Sequence, residues 1–322
     1  MLYPLRFKPI FQPRVWGGRS LARLYGKQLP EQGPIGESWE LSDRPDAASV
    51  ITHGPLAGKD LHWLVENHRA DLLGDVRLAD GRFPLLLKLL DAQDKLSLQV
   101  HPPAAKAAEL QGEPKTEMWF IAEAAPGAEL YVGLKRGVSR ADFERGLRDG
   151  SVAECFHRVP VRAGDAMFLP SGRVHAIGAG LVIFEIQQNS DTTYRVFDWN
   201  RVGLDGQPRA LHVPQSLASI DFDDFEPELI GGEETTGVNC LIRRLVRDPL
   251  FNVELFRAAE TGVIPLPAAR MQIVGVVAGE AHVSGSGSPV LRAGDFCLLP
   301  ACLSEVELVT APNTQFLRIE AN

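Results

Sequence analysis

Three short stretches of this chain carry side chains able to ligate a metal ion. The first is LSLQVHPP at 96–103. In an extended strand alternate residues share a face, so Ser97, Gln99 and His101 point one way and Leu98 and Val100 the other. The second is KTEMWF at 115–120, where Glu117 opens an apolar run and Lys115 lies on its face. A carboxylate leading into such a run is costly to bury unless it is paired or coordinated. The third is the spacing G-x5-P-x-G-x2-H, from Gly164 through Pro170 and Gly172 to His175. Here Gly164 opens one turn, Pro170 and Gly172 close the next, and His175 begins a returning strand. Together Gln99, His101, Glu117 and His175 give a nitrogen-and-oxygen set suited to zinc, with a position left for water or substrate. Two histidines and a carboxylate also suit non-haem iron. The ligand set by itself does not choose the metal.

The elements that must position these residues read as mostly β. Runs rich in Val, Ile, Phe and Leu alternate with Gly and Pro punctuation, at 117–121, 166–169, 181–187, 272–277 and 305–309. Helical patterns are few. One spans 61–73, with Leu61, Leu64, Val65 and Leu72 at helical spacing. Another spans 139–147, with Ser139 as N-cap and Asp142 completing a capping-box variant. RAGDAMFLP at 162–170 recurs as RAGDFCLLP at 292–300. Such a repeat predicts two copies of one structural unit. The acidic stretch at 221–234 fits a linker between them. Five residues after Pro170 stands His175, and five after Pro300 stands Glu305. The second copy is therefore expected to have lost a ligand that the first carries.

Composition bounds the function. The chain has 322 residues, 45% of them apolar, which allows a sizeable core. A net charge of −8 argues against nonspecific nucleic-acid binding, which needs a basic surface. No apolar run reaches the length of a membrane span, and the N-terminal stretch has no signal-peptide core. The four cysteines, Cys155, Cys240, Cys297 and Cys302, form no CxxC pair and predict reduced thiols in a cytoplasmic protein. No Rossmann or P-loop fingerprint occurs.

The spacing that ends at His175 resembles the second signature motif of the cupin superfamily, without its trailing Asn. QVHP at 99–102, KTE at 115–117, LPSGRVHAIG at 169–178 and NSDTTYRVFDWNR at 189–201 resemble the type I mannose-6-phosphate isomerase family. VWGG at 15–18 and IGESWELS at 35–42 add to the likeness, which runs in order over about residues 1–222. Pro103 and Pro114 depart from the family pattern in loops. The resemblance implies a compact bacterial form with two cupin-like (jelly-roll) β-barrels and a few short helices. Residues 1–225 would be the catalytic cupin domain, with an N-terminal extension and small helical segments, and 226–322 a degenerate copy. It implies one Zn2+ per chain on Gln99, His101, Glu117 and His175, and interconversion of mannose 6-phosphate and fructose 6-phosphate. The partner is then a small sugar phosphate, with no nucleic acid or membrane; the oligomeric state is left open.

Aldose–ketose isomerisation moves a proton between C1 and C2. It needs a base, an acid and positive charge near the developing oxyanion. By the resemblance Arg195, Lys115 and Lys88 are active-site cations. Arg195 would stabilise the enediolate or hold phosphate; otherwise it is a surface arginine paired with Asp191 or Asp198. Lys88 interrupts the apolar run 83–90. It is either a desolvated lysine moving a proton or an outward one whose stem lies along the surface. Lys115 orients substrate or merely neutralises Glu117. Asp191 positions Arg195, and Ser97 contacts phosphate. The remaining histidines, His53, His62, His68, His157, His212 and His282, lack partners at ligand spacing. Trp16, Trp39 and Trp119 read as core. A cupin oxygenase using iron would explain the ligands but leaves the three cations without a role. A sugar-binding bicupin without catalysis predicts a degenerate metal site.

Overall fold

The computed structural model describes residues 2–78, 80–285 and 290–322. Strands dominate, and the helices are short and few. One six-stranded sheet runs Ile10–Gly18, Ile35–Leu41, Leu85–Ala92, Leu181–Gln188, Glu117–Ala124 and Ala166–Leu169. A five-stranded sheet runs Tyr194–Phe197, Leu98–Val100, His175–Ile177, Glu129–Leu134 and Phe156–Pro160. From Glu234 onward a second six-stranded sheet forms, ordered Glu234–Gly237, Cys240–Arg247, Phe251–Ala258, Thr314–Ala321, Gln272–Ala278 and Phe296–Leu299. It is accompanied by a four-stranded sheet of Gly262–Leu266, Val306–Thr310, Glu280–Val283 and Leu291–Arg292. Each is an open row: among the described residues no sheet returns to its first strand.

Period-two alternation explains how these sheets stack. On the strand Leu85–Ala92, Leu85, Leu87 and Leu89 enter a core shared with Phe251, Leu255, Ile273 and Leu317 of the later six-stranded sheet. Leu90 and Ala92 face the other way, into a core with Trp119, Leu130, Val132 and Ile177. Phe256, Val274, Leu308 and Phe316 form a third core inside the second half. The layers therefore run five, six, six and four strands. Both faces of the first six-stranded sheet are covered, which is why 83–90 reads as a continuous apolar run. Lys88 shares the face of Leu90 and points between the six- and five-stranded sheets, 3% exposed. This overturns the alternative of an outward, surface-lying lysine.

The pattern at 61–73 gives two helices, Leu61–Asn67 and Arg69–Leu73, broken at His68. The break lets Leu61, Leu64 and Val65 and then Leu72 and Leu73 reach the same core. Asp60 caps the first, accepting from the Trp63 backbone N–H at 2.7 Å. The helix Arg140–Asp149 has both bonds of the capping box between Ser139 and Asp142.

The repeated RAGD segment folds alike in both halves. Asp165 accepts from the Arg162 N–H at 2.8 Å, and Asp295 from the Arg292 N–H at 2.9 Å. Gly164 (φ 91°) and Gly294 (φ 84°) take left-handed conformations that favour glycine. Each then donates its N–H at 2.8 Å to the neighbouring strand, to Ile121 O and Val276 O respectively. The register places Leu169 opposite Glu117 and Leu299 opposite Gln272. Gln272 thus takes the place of Glu117 in the second half.

Candidate metal centre and cavity

The heads of three strands converge on one buried point. Glu117 opens Glu117–Ala124, His175 opens His175–Ile177, and His101 follows Leu98–Val100. His101, Glu117 and His175 offer ligand atoms that lie within 4.8 Å of one another. His175 Nε2 is 3.3 Å from Glu117 Oε1, and His101 Nε2 is 3.5 Å from Glu117 Oε2. The other ring nitrogens are held by backbone: His101 Nδ1 lies 2.8 Å from Thr192 O, and His175 Nδ1 2.9 Å from Arg173 O. A carbonyl can only accept, so each Nδ1 carries the proton and each Nε2 turns a lone pair to the centre. Gln99 pairs with His175 across the sheet, its amide nitrogen 3.4 Å from His175 Nε2. A half-turn of that amide exchanges its nitrogen for its oxygen. Ser97 Oγ donates to Gln99 Oε1 at 3.4 Å.

The electrostatics suit a cation. Burial, reinforced by Lys115 and only partly opposed by Glu117, lowers the His101 imidazole to about 4. Burial likewise lowers His175. Both rings are therefore neutral, as ligands must be. Burial pushes Glu117 up, but Lys115, His101 and His175 outweigh it and hold the carboxyl well below its usual range. Neither Glu117 oxygen accepts a well-aligned hydrogen bond although both are buried. The Lys115 ammonium compensates from 2.7 Å. Burial pushes Lys115 down, yet Glu117, Glu185 and Asp191 together raise it above its usual value. An orphaned buried carboxylate facing two lone pairs is a donor set that fits a divalent ion. Among the described residues it is the one such cluster of histidine, cysteine and carboxylate groups.

Next to this centre opens a cavity of about 580 Å³. Gln99, Lys115, Lys88, Ser97, Asp191 and Arg195 all line it, so the proposed site residues meet in one place. Lys88 Nζ stands 3.2 Å from Glu185 Oε1 and 3.8 Å from Glu37 Oε2, with the Trp39 ring centre 5.3 Å away. Lys88 is desolvated, but it sits between two carboxylates. Arg195 donates Nη1 to Ala210 O at 2.8 Å, while its buried Nε finds no partner. Asp198, offered as its ion-pair partner, is taken by Arg201 and Arg209 instead. Among the described residues no carboxylate forms an ion pair with Arg195. Burial lowers its affinity for the proton, as do Arg209, Arg201 and Arg14 against Asp198. Asp191 makes no bond to Arg195; its field acts on Lys115 and Arg14.

Glu185, Glu37, Arg14 and Arg209 also line the cavity, and sequence reasoning missed them. Glu185 had a signal: it interrupts the apolar run 181–187 as Lys88 interrupts 83–90, on the adjacent strand. Trp39 and Trp119 are buried as read, but each also donates its indole N–H to a carboxylate, Glu37 at 2.7 Å and Glu185 at 2.9 Å. His212, which lacks a partner at ligand spacing, accepts from the Arg195 backbone N–H at 3.2 Å.

A β-protein with a buried His–Glu–His centre beside a polar, cation-lined cavity has the form of a metal-site enzyme. Comparison with known proteins agrees on which one. Residues 4–117 match the model of the phosphomannose isomerase type I catalytic domain. A mannose-6-phosphate isomerase of Streptococcus mutans is 35% identical over 93% of this chain and 93% of its own length. Mannose-6-phosphate isomerase ManA of Bacillus subtilis is 35% identical over 95% of each chain. The crystal structure of the mannose 6-phosphate isomerase from Bacillus subtilis superposes with a TM-score of 0.90 at 28% identity, covering 99% of this chain and 100% of that one. The chain belongs to the type I phosphomannose isomerase family.

Proposed function

We propose that the chain interconverts mannose 6-phosphate and fructose 6-phosphate, using one Zn2+ held by Gln99, His101, Glu117 and His175. The observation that carries this is the pairing of two adjacent features. His101, Glu117 and His175 converge within 4.8 Å, and Lys88, Lys115 and Arg195 line the space beside them. An oxygenase or a binding module leaves those cations unexplained. When bound, zinc supplies Lewis-acid charge to sugar oxygens.

The chain's own residues supply the rest. Arg195, the cation without a carboxylate, holds the phosphate dianion, and its fixed fork orients the sugar. Ser97 adds a hydroxyl on the wall that carries Gln99. Lys115, 3.4 Å from His101 Nε2 and 2.7 Å from Glu117, orients sugar hydroxyls and offsets the buried carboxylate. Lys88 Nζ with Glu185 Oε1 forms the polar pair at which a proton can be held between C1 and C2. Asp191 tunes Lys115 through its field.

We read residues 1–225 as the catalytic unit and 226–322 as a degenerate copy, each a jelly roll of two facing sheets. The recurring RAGD turn and the Glu117-to-Gln272 replacement support this. The four cysteines are free thiols, which fits a cytoplasmic enzyme. The test is a coupled isomerase assay on mannose 6-phosphate with metal analysis of the same sample. Turnover that is abolished by a chelator and restored by zinc supports the reading. Turnover indifferent to the chelator, or oxygen uptake in place of isomerisation, would sink it.

A further inference from the structure

The strand Ile10–Gly18 leaves its neighbour's register at the cavity wall. Pro13 and Gly18 both stand opposite Ile35, so residues 14–17 form an excursion between them. Such bulges re-aim side chains and need close backbone approach. Gly17 and Gly36 allow it. A Cβ on Gly17 would lie 2.4 Å from the Gly36 nitrogen, and one on Gly36 would lie 2.5 Å from the Arg14 Cβ. The excursion carries Arg14 into the wall of the cavity. There Nε donates to Glu37 Oε1 at 2.9 Å and Nη2 to Glu37 Oε2 at 3.3 Å.

Glu37 links Arg14 to Lys88. Its Oε2 accepts from Trp39 Nε1 at 2.7 Å and stands 3.8 Å from Lys88 Nζ. The carboxylate nearer to Lys88 is Glu185, at 3.2 Å. Two cations and two carboxylates therefore balance in a partly desolvated space, where charge is felt strongly. Without Arg14, Lys88 would be the one cation, among the described residues, within ion-pair distance of either carboxylate. The wall would then turn one unit more negative toward a dianionic substrate.

We propose that Arg14 is a positioning residue for the sugar-phosphate reaction: by occupying Glu37 it leaves Lys88 paired with Glu185 and keeps the cavity attractive to a phosphate ester. This rests on the isomerase reading above. Arginine suits the task because its planar fork grips a carboxylate through two nitrogens and stays charged. The bulge with its two glycines is the device that brings it there.

The test compares Arg14→Gln, Glu37→Gln, Arg14→Lys and the double variant Arg14→Gln/Glu37→Gln with wild type, zinc-loaded. Three quantities are read: kcat and KM for mannose 6-phosphate, its Kd by calorimetry, and bound metal. Arg14→Gln should lose about tenfold or more in kcat/KM, with KM and Kd both rising and metal content unchanged. The double variant removes a cation and a carboxylate together and should recover most of the lost affinity. Arg14→Lys should fall between wild type and Arg14→Gln. A purely structural role predicts that the losses of the single substitutions multiply in the double variant. That result, or an Arg14→Gln protein within about twofold of wild type, overturns the proposal. Should Arg14→Gln not fold, the double variant against Glu37→Gln decides: a Kd within about twofold of Glu37→Gln supports the proposal, and a further loss of about tenfold overturns it. A wild type that binds the sugar phosphate without converting it removes the isomerase reading, while the Kd series still decides Arg14. A wild type that neither binds nor converts it overturns both.

Discussion

The Lys115 ammonium stands 2.7 Å from Glu117 Oε2, with both side chains buried. In the metal-free protein this ammonium is the main charge compensating a carboxylate that lacks a well-aligned hydrogen bond. Removing one partner of a buried pair is destabilising by about 3–5 kcal/mol, because the other charge is left uncompensated. Lys115→Met should therefore lower the melting temperature sharply without metal. Zinc would supply the missing positive charge and restore most of the difference. Melting curves with and without zinc check this; an equal drop in both conditions would show that Glu117 does not face the ion.

His101 and Arg195 separate binding of metal from binding of substrate. His101→Ala removes an Nε2 lone pair aimed at Glu117 and should abolish metal and activity together. Arg195→Ala leaves the His–Glu–His cluster untouched and should keep its metal while losing most activity, about a hundredfold in kcat/KM. Metal analysis beside kinetics decides. A nearly fully active Arg195→Ala enzyme would remove Arg195 from the site.

Glu37 makes an acid-limb prediction. Burial raises its carboxyl, but Lys88, Arg14 and the hydrogen bonds from Arg14 and Trp39 outweigh that and bring it from 4.5 to about 2. The folded value lies below the unfolded one, so the unfolded chain binds the proton more readily. The associated stability is complete above pH 4.5 and is lost as pH falls toward 2. Wild type should lose about 2 kcal/mol more than Glu37→Gln between roughly pH 5 and pH 3. Urea unfolding across that range measures it. Parallel curves for the two proteins would contradict the ion-pair arrangement.

The repeated turn predicts matched costs. Asp165 and Asp295 each accept from the backbone N–H three residues earlier, at 2.8 and 2.9 Å. Asp165→Ala and Asp295→Ala should each destabilise by about 1 kcal/mol, as loss of one charge-assisted turn bond does. Only the first should also weaken metal binding, because its strand lies against Glu117–Ala124. Chemical denaturation with zinc titration compares them.

Local residue types set out much of the site in advance. Alternation placed Ser97, Gln99 and His101 on one face, and the same period put Lys115 beside Glu117. Period and spacing are local properties, so a single sequence displays them. The RAGD repeat told of a turn that recurs in both halves for the same reason: a turn is written in four residues. The helix pattern at 61–73 was legible as helix but not as two, because the break at His68 answers to a distant core.

Which charges meet depended on packing between sheets. Lys88 read as a desolvated lysine or a surface one, and only the packing of a second sheet on the back of its strand turned it inward. Its carboxylates, Glu37 and Glu185, lie 51 residues before it and 97 after it. Arg195 read as a substrate-holding cation or as a surface arginine paired with Asp191 or Asp198, and only the fold gave Asp198 to Arg201 and Arg209. Residue types at the His–Glu–His centre, strand faces and the recurring turn were all legible along the chain, since each is set by neighbouring residues. Electrostatic partnership depends on distance through space, and sheet order and strand bulges fix that distance after the chain has folded.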